Sequence, residues 1–152
     1  MKKLTKNNKG FSLVELIVVI AIMAVLVGVL APQLIKYVEK SRQATDIQNC
    51  DSIATTLKTY FSDKENLDGT VTVTVKNGAA IAYSVSVQNS GLDTKASTAL
   101  TDAGLQDTRL KGSRWTGGEI DIIYDSATGK ISYDAASAYY NATNNATEIK
   151  PE

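Results

Sequence analysis

The sequence predicts an α+β fold, a long N-terminal α-helix serving as membrane anchor and stalk, packed on an antiparallel β-sheet of about four strands. Two observations predict the helix. An apolar run of membrane length occupies Phe11–Ile35, and beyond it apolar residues recur at intervals of three and four through Phe61. A third predicts the sheet: Thr70–Lys76, Ala79–Val87, Glu119–Tyr124 and Lys130–Tyr133 are short, rich in β-branched and aromatic residues, and bounded by turn formers.

The chain divides into a basic leader at 1–10, a hydrophobic transmembrane and assembly helix at 11–35, and a soluble headgroup at 36–152 that includes the amphipathic second half of the helix. Lys2, Lys3, Lys6 and Lys9 all precede Gly10, and they hide an asymmetry in a chain with 16 basic and 16 acidic residues. Residues 11–152 are acidic overall and carry no basic stripe, which argues against a nucleic-acid partner.

Leu16–Ala31 holds no polar side chain. As a helix, Phe11–Ile35 would span about 37 Å against a bilayer core of roughly 30 Å. A removable secretory signal is the first alternative. Its cut would follow Val29-Leu30-Ala31 and leave Pro32 as the first mature residue, a poor site. A plain membrane anchor is the second. The leader lysines then favour a cytoplasmic N-terminus, although Lys36, Lys40 and Arg42 weaken the asymmetry.

Glu15 is the residue that a plain anchor does not explain, because an acidic side chain at the centre of a membrane helix costs about 2.5–3.5 kcal/mol, and less near its ends. Ser12-Leu13-Val14-Glu15 is an S-x-x-E capping box, and a carboxylate there is also favoured by the helix dipole. Capping makes Glu15 cheap without requiring a carboxylate. Further along, Pro32 lacks the N–H that would bond the Gly28 carbonyl, so this pair predicts a helix kink.

Lys9-Gly10-Phe11-Ser12-Leu13-Val14-Glu15, joined to the uninterrupted run and Pro32, resembles the processing site of type IV pilins and pseudopilins. The short leader and the phenylalanine start are similar to the type IVa branch. The resemblance implies cleavage by a prepilin peptidase between Gly10 and Phe11 and N-methylation of Phe11. It also implies pairing of Glu15 with the Phe11 amine of a neighbouring subunit as helices bundle. Gly28 and Pro32 would mark local unwinding in the filament. The sequence match covers about 9–42. Many type IVa pilins staple their C-terminal region with a disulfide, and a chain with one cysteine departs from that pattern.

Lys36–Asp46 is polar on nearly every face and is expected to be exposed at the membrane surface or between subunits. The stripe Ile47, Cys50, Ile53–Ala54, Leu57 and Tyr60–Phe61 then continues the helix and places Cys50 as a buried small hydrophobe. Ser62–Gly69 stops it. A three-residue loop Lys76-Asn77-Gly78, with Gly78 left-handed, is favoured because it sets Val71 and Val73 opposite Tyr83 and Ile81 on one apolar face. Asn89-Ser90-Gly91 reads as a turn, Ser97–Gly104 as a short helix, and Trp115 as a core residue under the loop before Glu119. Asn141-Ala142-Thr143 and Asn145-Ala146-Thr147 match glycosylation sequons, patterns short enough to arise by chance in a polar tail.

Histidine is absent, and no metal-ligand, phosphate-loop or nucleophile motif is present, so no enzymatic activity, metal or cofactor is expected. The resemblance implies a structural subunit, anchored by a single pass before assembly and extracellular at the cell surface afterwards. Its partners would be its own copies in a helical filament, the peptidase and methylase, the assembly machinery and the lipid bilayer. Adhesion, surface motility and biofilm formation are the roles implied. A major pseudopilin of a secretion or DNA-uptake system is the alternative. Such proteins often carry an acidic calcium loop, and Asp121, Asp125 and Asp134 are spread across strands and turns. A membrane-anchored binding module that never polymerises is the alternative of another class.

Overall fold

Helix α1 runs from Leu13 to Ser62 in the computed structural model, which describes residues 10–62, 69–78, 81–86, 91–135, 140–141 and 150–151. Both ends fall within two residues of the expected helix, the usual latitude of helix boundaries. Pro32 lies inside α1 without ending it. The chain divides between Tyr37 and Val38 into two units.

In the first unit the helix is apolar on all sides. Phe11 is 90% exposed and the large apolar residues from Leu13 to Ile35 lie between 48% and 72%. An 18-residue window has a mean hydropathy of 3.1 and no buried residue, so by length and composition the segment can cross a membrane. A helix apolar all round requires cover from outside itself.

The second unit packs the rest of α1 on a four-stranded antiparallel sheet of order β2-β1-β3-β4. The strands are β1 Thr70–Lys76, β2 Ala82–Ser86, β3 Glu119–Asp125 and β4 Lys130–Asp134. Side chains alternate along β1 and β3. Val71, Val73, Val75, Ile120, Ile122 and Tyr124 are therefore buried with Cys50, Ile53, Leu57 and Phe61 of α1. Phe61 stacks on Tyr124 with ring centroids 5.3 Å apart.

The hairpin register differs from the expected one. Val73 lies opposite Tyr83 and Val71 opposite Val85, a slip of two residues. Ile81 is buried as expected. The turn starts late because β1 is still paired on its other edge. The Asn77 N–H donates to the Gly118 carbonyl (2.9 Å) and the Leu110 N–H to the Lys76 carbonyl (3.2 Å). Gly78 takes the left-handed conformation, φ 72°.

Helix α2 covers Leu92–Asp102, starting earlier than the expected Ser97. Leu92, Ala96, Ala99 and Leu100 form its buried face, at helical spacing that begins before the expected start. It ends as a Schellman motif: the Leu105 N–H donates to the Leu100 carbonyl (2.8 Å) and the Gly104 N–H to that of Thr101 (3.0 Å). A 3₁₀ turn, Thr116–Gly118, leads into β3. Near the C-terminus, β5 (Tyr140–Asn141) pairs with β6 (Lys150–Pro151). Residues 1–9 of the leader, the Asn89-Ser90 part of the predicted turn and the Asn145 sequon lie outside the described residues, as does the 142–143 half of the other sequon.

Candidate functional site

The predicted site residues of the first unit lie in sequence along one helix rather than in a cluster. Gly10 and Phe11 precede α1, are exposed, and a Cβ built on Gly10 meets nothing within 4 Å. Packing among the described residues therefore does not demand glycine at that position. One turn on, Glu15 closes half of the capping box: its Oε2 accepts the Ser12 N–H at 2.9 Å. Gly28 is equally open, and Pro32 sits four residues beyond it within continuous helix. Gly28 and Pro32 lie roughly 20 Å or more from Glu15 along the axis, so the two sets of residues cannot act on one bound group.

The second unit contains an arrangement that the sequence reading missed. Lys36–Asp46 was expected to be exposed throughout, yet Glu39, Gln43 and Asp46 are buried, the last two completely. Their spacing of four and three continues through Cys50, Ile53 and Leu57, so the polar residues occupy the core face of α1 about one, two and three turns before Cys50. They are tolerated because a loop between α2 and β3 brings backbone donors to them. Asp46 accepts the N–H groups of Lys111 (2.9 and 3.0 Å) and Gly112 (2.7 Å) and the indole Nε1–H of Trp115 (2.9 Å). Glu39 Oε1 accepts the N–H groups of Ser113 and Arg114, the latter at 3.1 Å. Arg42 approaches Glu39 at 4.0 Å, rather than the Asp46 four residues ahead of it.

Gly112 makes this clamp possible by size. A Cβ there would lie 2.6 Å from Gln43 Cγ, 3.0 Å from Trp115 Nε1 and 3.1 Å from Asp46 Oδ2. The backbone must approach to hydrogen-bond distance, and only a residue without a side chain leaves room. Trp115 is a core residue, as expected, with 4% exposure. Its indole donor locks the loop to α1.

Nearby groups are held in their neutral forms. Burial, then the charges of Asp46 and Asp51, pushes the Cys50 thiol well above its ordinary range, which suits a small apolar core residue. Burial likewise raises Tyr133, whose hydroxyl donates to Asp51 Oδ1 at 2.9 Å. Of the three acids weighed for calcium, Asp121 and Asp134 face one another across β3 and β4. Asp125 instead caps the β3–β4 turn: its Oδ2 accepts the Thr128 hydroxyl (2.8 Å), and its Oδ1 accepts the N–H groups of Ala127 (2.9 Å) and Thr128 (3.3 Å). The Thr128 hydroxyl first, then the backbone donors, holds Asp125 below the usual carboxylate range. Among the described residues no group of three histidine, cysteine or acidic side chains is placed to hold a metal ion.

Residues 5–31 match the prokaryotic N-terminal methylation motif. The chain is similar to the type IV major pilin protein PilA of Myxococcus xanthus (strain DK1622), with 32% identity over 65 residues. That match covers 43% of this chain and 30% of the relative, so the chain is aligned to less than a third of that protein's length. No solved structure matches the chain.

Proposed function

We propose that the chain is a type IV pilin and a structural subunit of a type IV pilus, a reading supported by the methylation motif at residues 5–31 and the likeness to a type IV major pilin. Prepilin peptidase cuts after Gly10, Phe11 is methylated, and the single-pass precursor, its N-terminus cytoplasmic, waits in the membrane. Sister subunits then replace lipid around α1. The fibre serves adhesion, surface motility or biofilm formation, and the subunit itself catalyses nothing.

The observation that carries this reading is the contrast inside residues 10–38. The helix exposes a large apolar side chain at nearly every turn, yet it begins with an accessible glycine–phenylalanine junction and one carboxylate. Lipid alone explains the apolar surface but gives no reason for the acid. A neighbour's Phe11 amine does give one, because charge attraction strengthens in apolar surroundings and a misregistered neighbour would set carboxylate against carboxylate. The capping bond to Ser12 engages one carboxylate oxygen, which leaves the charge available to a partner. Gly28 and Pro32, with one backbone hydrogen bond missing between them, are where α1 would yield on packing.

Electron microscopy of surface fibres combined with mass spectrometry of their subunits tests the proposal. The expected result is abundant fibres whose subunits begin at methylated Phe11. Subunits that keep Met1 and form no fibre would overturn it.

A further inference from the structure

We propose that the loop at 111–115 is a strap closed by two latches of unequal strength, and that its corner at Ser113 and Arg114 opens and closes while the rest stays shut. Four successive N–H groups of the strap donate to two carboxylates of α1. They are sorted in chain order. Lys111 and Gly112 donate to Asp46, and Ser113 and Arg114 donate to Glu39. The device lies within the second unit and works whether or not the chain polymerises.

The Asp46 latch is deep. Asp46 is fully buried, and both of its oxygens accept hydrogen bonds. Its donors come from both ends of the strap, the backbone of Lys111 and Gly112 at one and the Trp115 indole at the other. Gly112 and Trp115 are themselves buried, and the 2.6 Å between a Gly112 Cβ and Gln43 Cγ measures how closely the backbone meets α1 there. On the flanks, the Leu110 N–H donates to the Lys76 carbonyl (3.2 Å) and the Gly118 N–H to the Trp115 carbonyl (3.0 Å). A buried carboxylate parted from its donors pays its full desolvation cost, so this latch releases only when the strap lifts as a whole and water follows.

The Glu39 latch sits at the rim. Both of its N–H partners meet one oxygen, Oε1. The other, Oε2, lies 4.0 Å from the guanidinium of Arg42, whose side chain is 55% exposed. Ser113 and Arg114 are exposed residues, so water can replace a broken bond at once. Asp46 holds Gly112 and Trp115 on either side, and opening therefore asks only the peptide units between them to turn. Leu110 and Trp115, the core residues of this stretch, stay in place. An opening that uncovers so little apolar surface proceeds without the global unfolding transition.

The test is amide hydrogen exchange, read by NMR on the full chain in a non-ionic detergent, with and without low concentrations of urea. Ser113 and Arg114 are expected to be less protected than Lys111 and Gly112, with exchange that does not respond to urea. Exchange at Lys111 and Gly112 should rise with urea, because their opening exposes more surface. Glu39→Gln keeps an acceptor in place but makes its bonds neutral. Exchange at Ser113 and Arg114 should then rise roughly tenfold, the difference between a charge-assisted hydrogen bond and a neutral one, with Lys111 and Gly112 unchanged. Asp46→Asn should raise exchange at all four. Equal or reversed protection in the parent chain, with one urea response for all four amides, overturns the proposal, since the strap is then a single latch. Spread of the Glu39→Gln effect to Lys111 and Gly112 overturns it too, as does an Asp46→Asn effect confined to those two. Should Asp46→Asn fail to fold, the parent chain and Glu39→Gln by themselves decide between one latch and two.

Discussion

From Leu13 to Val38, helix α1 exposes large apolar side chains; between Glu39 and Asp46 it buries three polar ones, Glu39, Gln43 and Asp46. In the first stretch the large apolar side chains are exposed among the described residues, a surface that suits lipid or other protein. In the second, the cover comes from the chain itself, and the buried carboxylates are satisfied by a loop far away in sequence. Hydropathy therefore describes where α1 can go, while hydrogen-bond accounting describes where it is held. A stretch rich in charge need not be a solvated one.

The contrast can be broken most severely at Glu15. Glu15→Gln keeps the capping box, since glutamine fills that role, but removes the charge that would meet a neighbour's amine. Loss of one member of a buried ion pair costs about 3–5 kcal/mol, so fibre yield on electron micrographs should fall below detection while the subunit still fractionates with membranes. Normal fibres from this variant would reduce Glu15 to a helix cap.

Asp46→Ala comes next. It strands two buried backbone donors and the Trp115 indole, at a cost of about 3 kcal/mol. That corresponds to a fall of roughly 10–20 °C in Tm by circular dichroism. Gly112→Ala should follow with about 1–3 kcal/mol, from overpacking against Gln43 and Trp115. Neither should shift the membrane fractionation of the apolar half, and a loss of anchoring in either would show that the two halves of α1 are not independent.

The smallest effect is expected at Asp125, whose carboxyl is held below its usual range in the folded chain. Its contribution is present above the unfolded carboxylate pKa, about 3.9, and disappears as pH falls through the lower folded value. Thr128→Ala should therefore raise the Asp125 midpoint in an NMR titration. It should also narrow the stability difference from the parent chain as acid is added.

Most of the fold was legible because its signals are local. The Thr–Val alternation of β1, the EIDIIY run of β3 and the 3–4 stripe through Leu57 each report one buried face, and the structure buries those faces. The clamp was not legible because its partners are backbone N–H groups, which every residue but proline carries and no sequence pattern marks. One clue was present: Glu39, Gln43 and Asp46 extend the Cys50–Ile53–Leu57 face backwards in unbroken helical spacing. The hairpin register slipped for a related reason, since Asn77 was read as a turn residue while its N–H was committed to Gly118 across the sheet. Of the candidate site, the structure adds the Ser12–Glu15 bond and the open surroundings of Gly10 and Gly28.

The Ser12–Glu15 bond carries a last consequence. Both of its residues lie after the Gly10–Phe11 junction, so a cut there leaves the start of α1 already closed. No refolding of the helix has to accompany maturation. Proteolysis at this junction would act as a change of valence on a finished part: it deletes four lysine charges and creates one amine next to a carboxylate already held in place. Since peptide hydrolysis is not reversed, the step would work as a one-way latch that sets when a subunit becomes joinable without altering its shape.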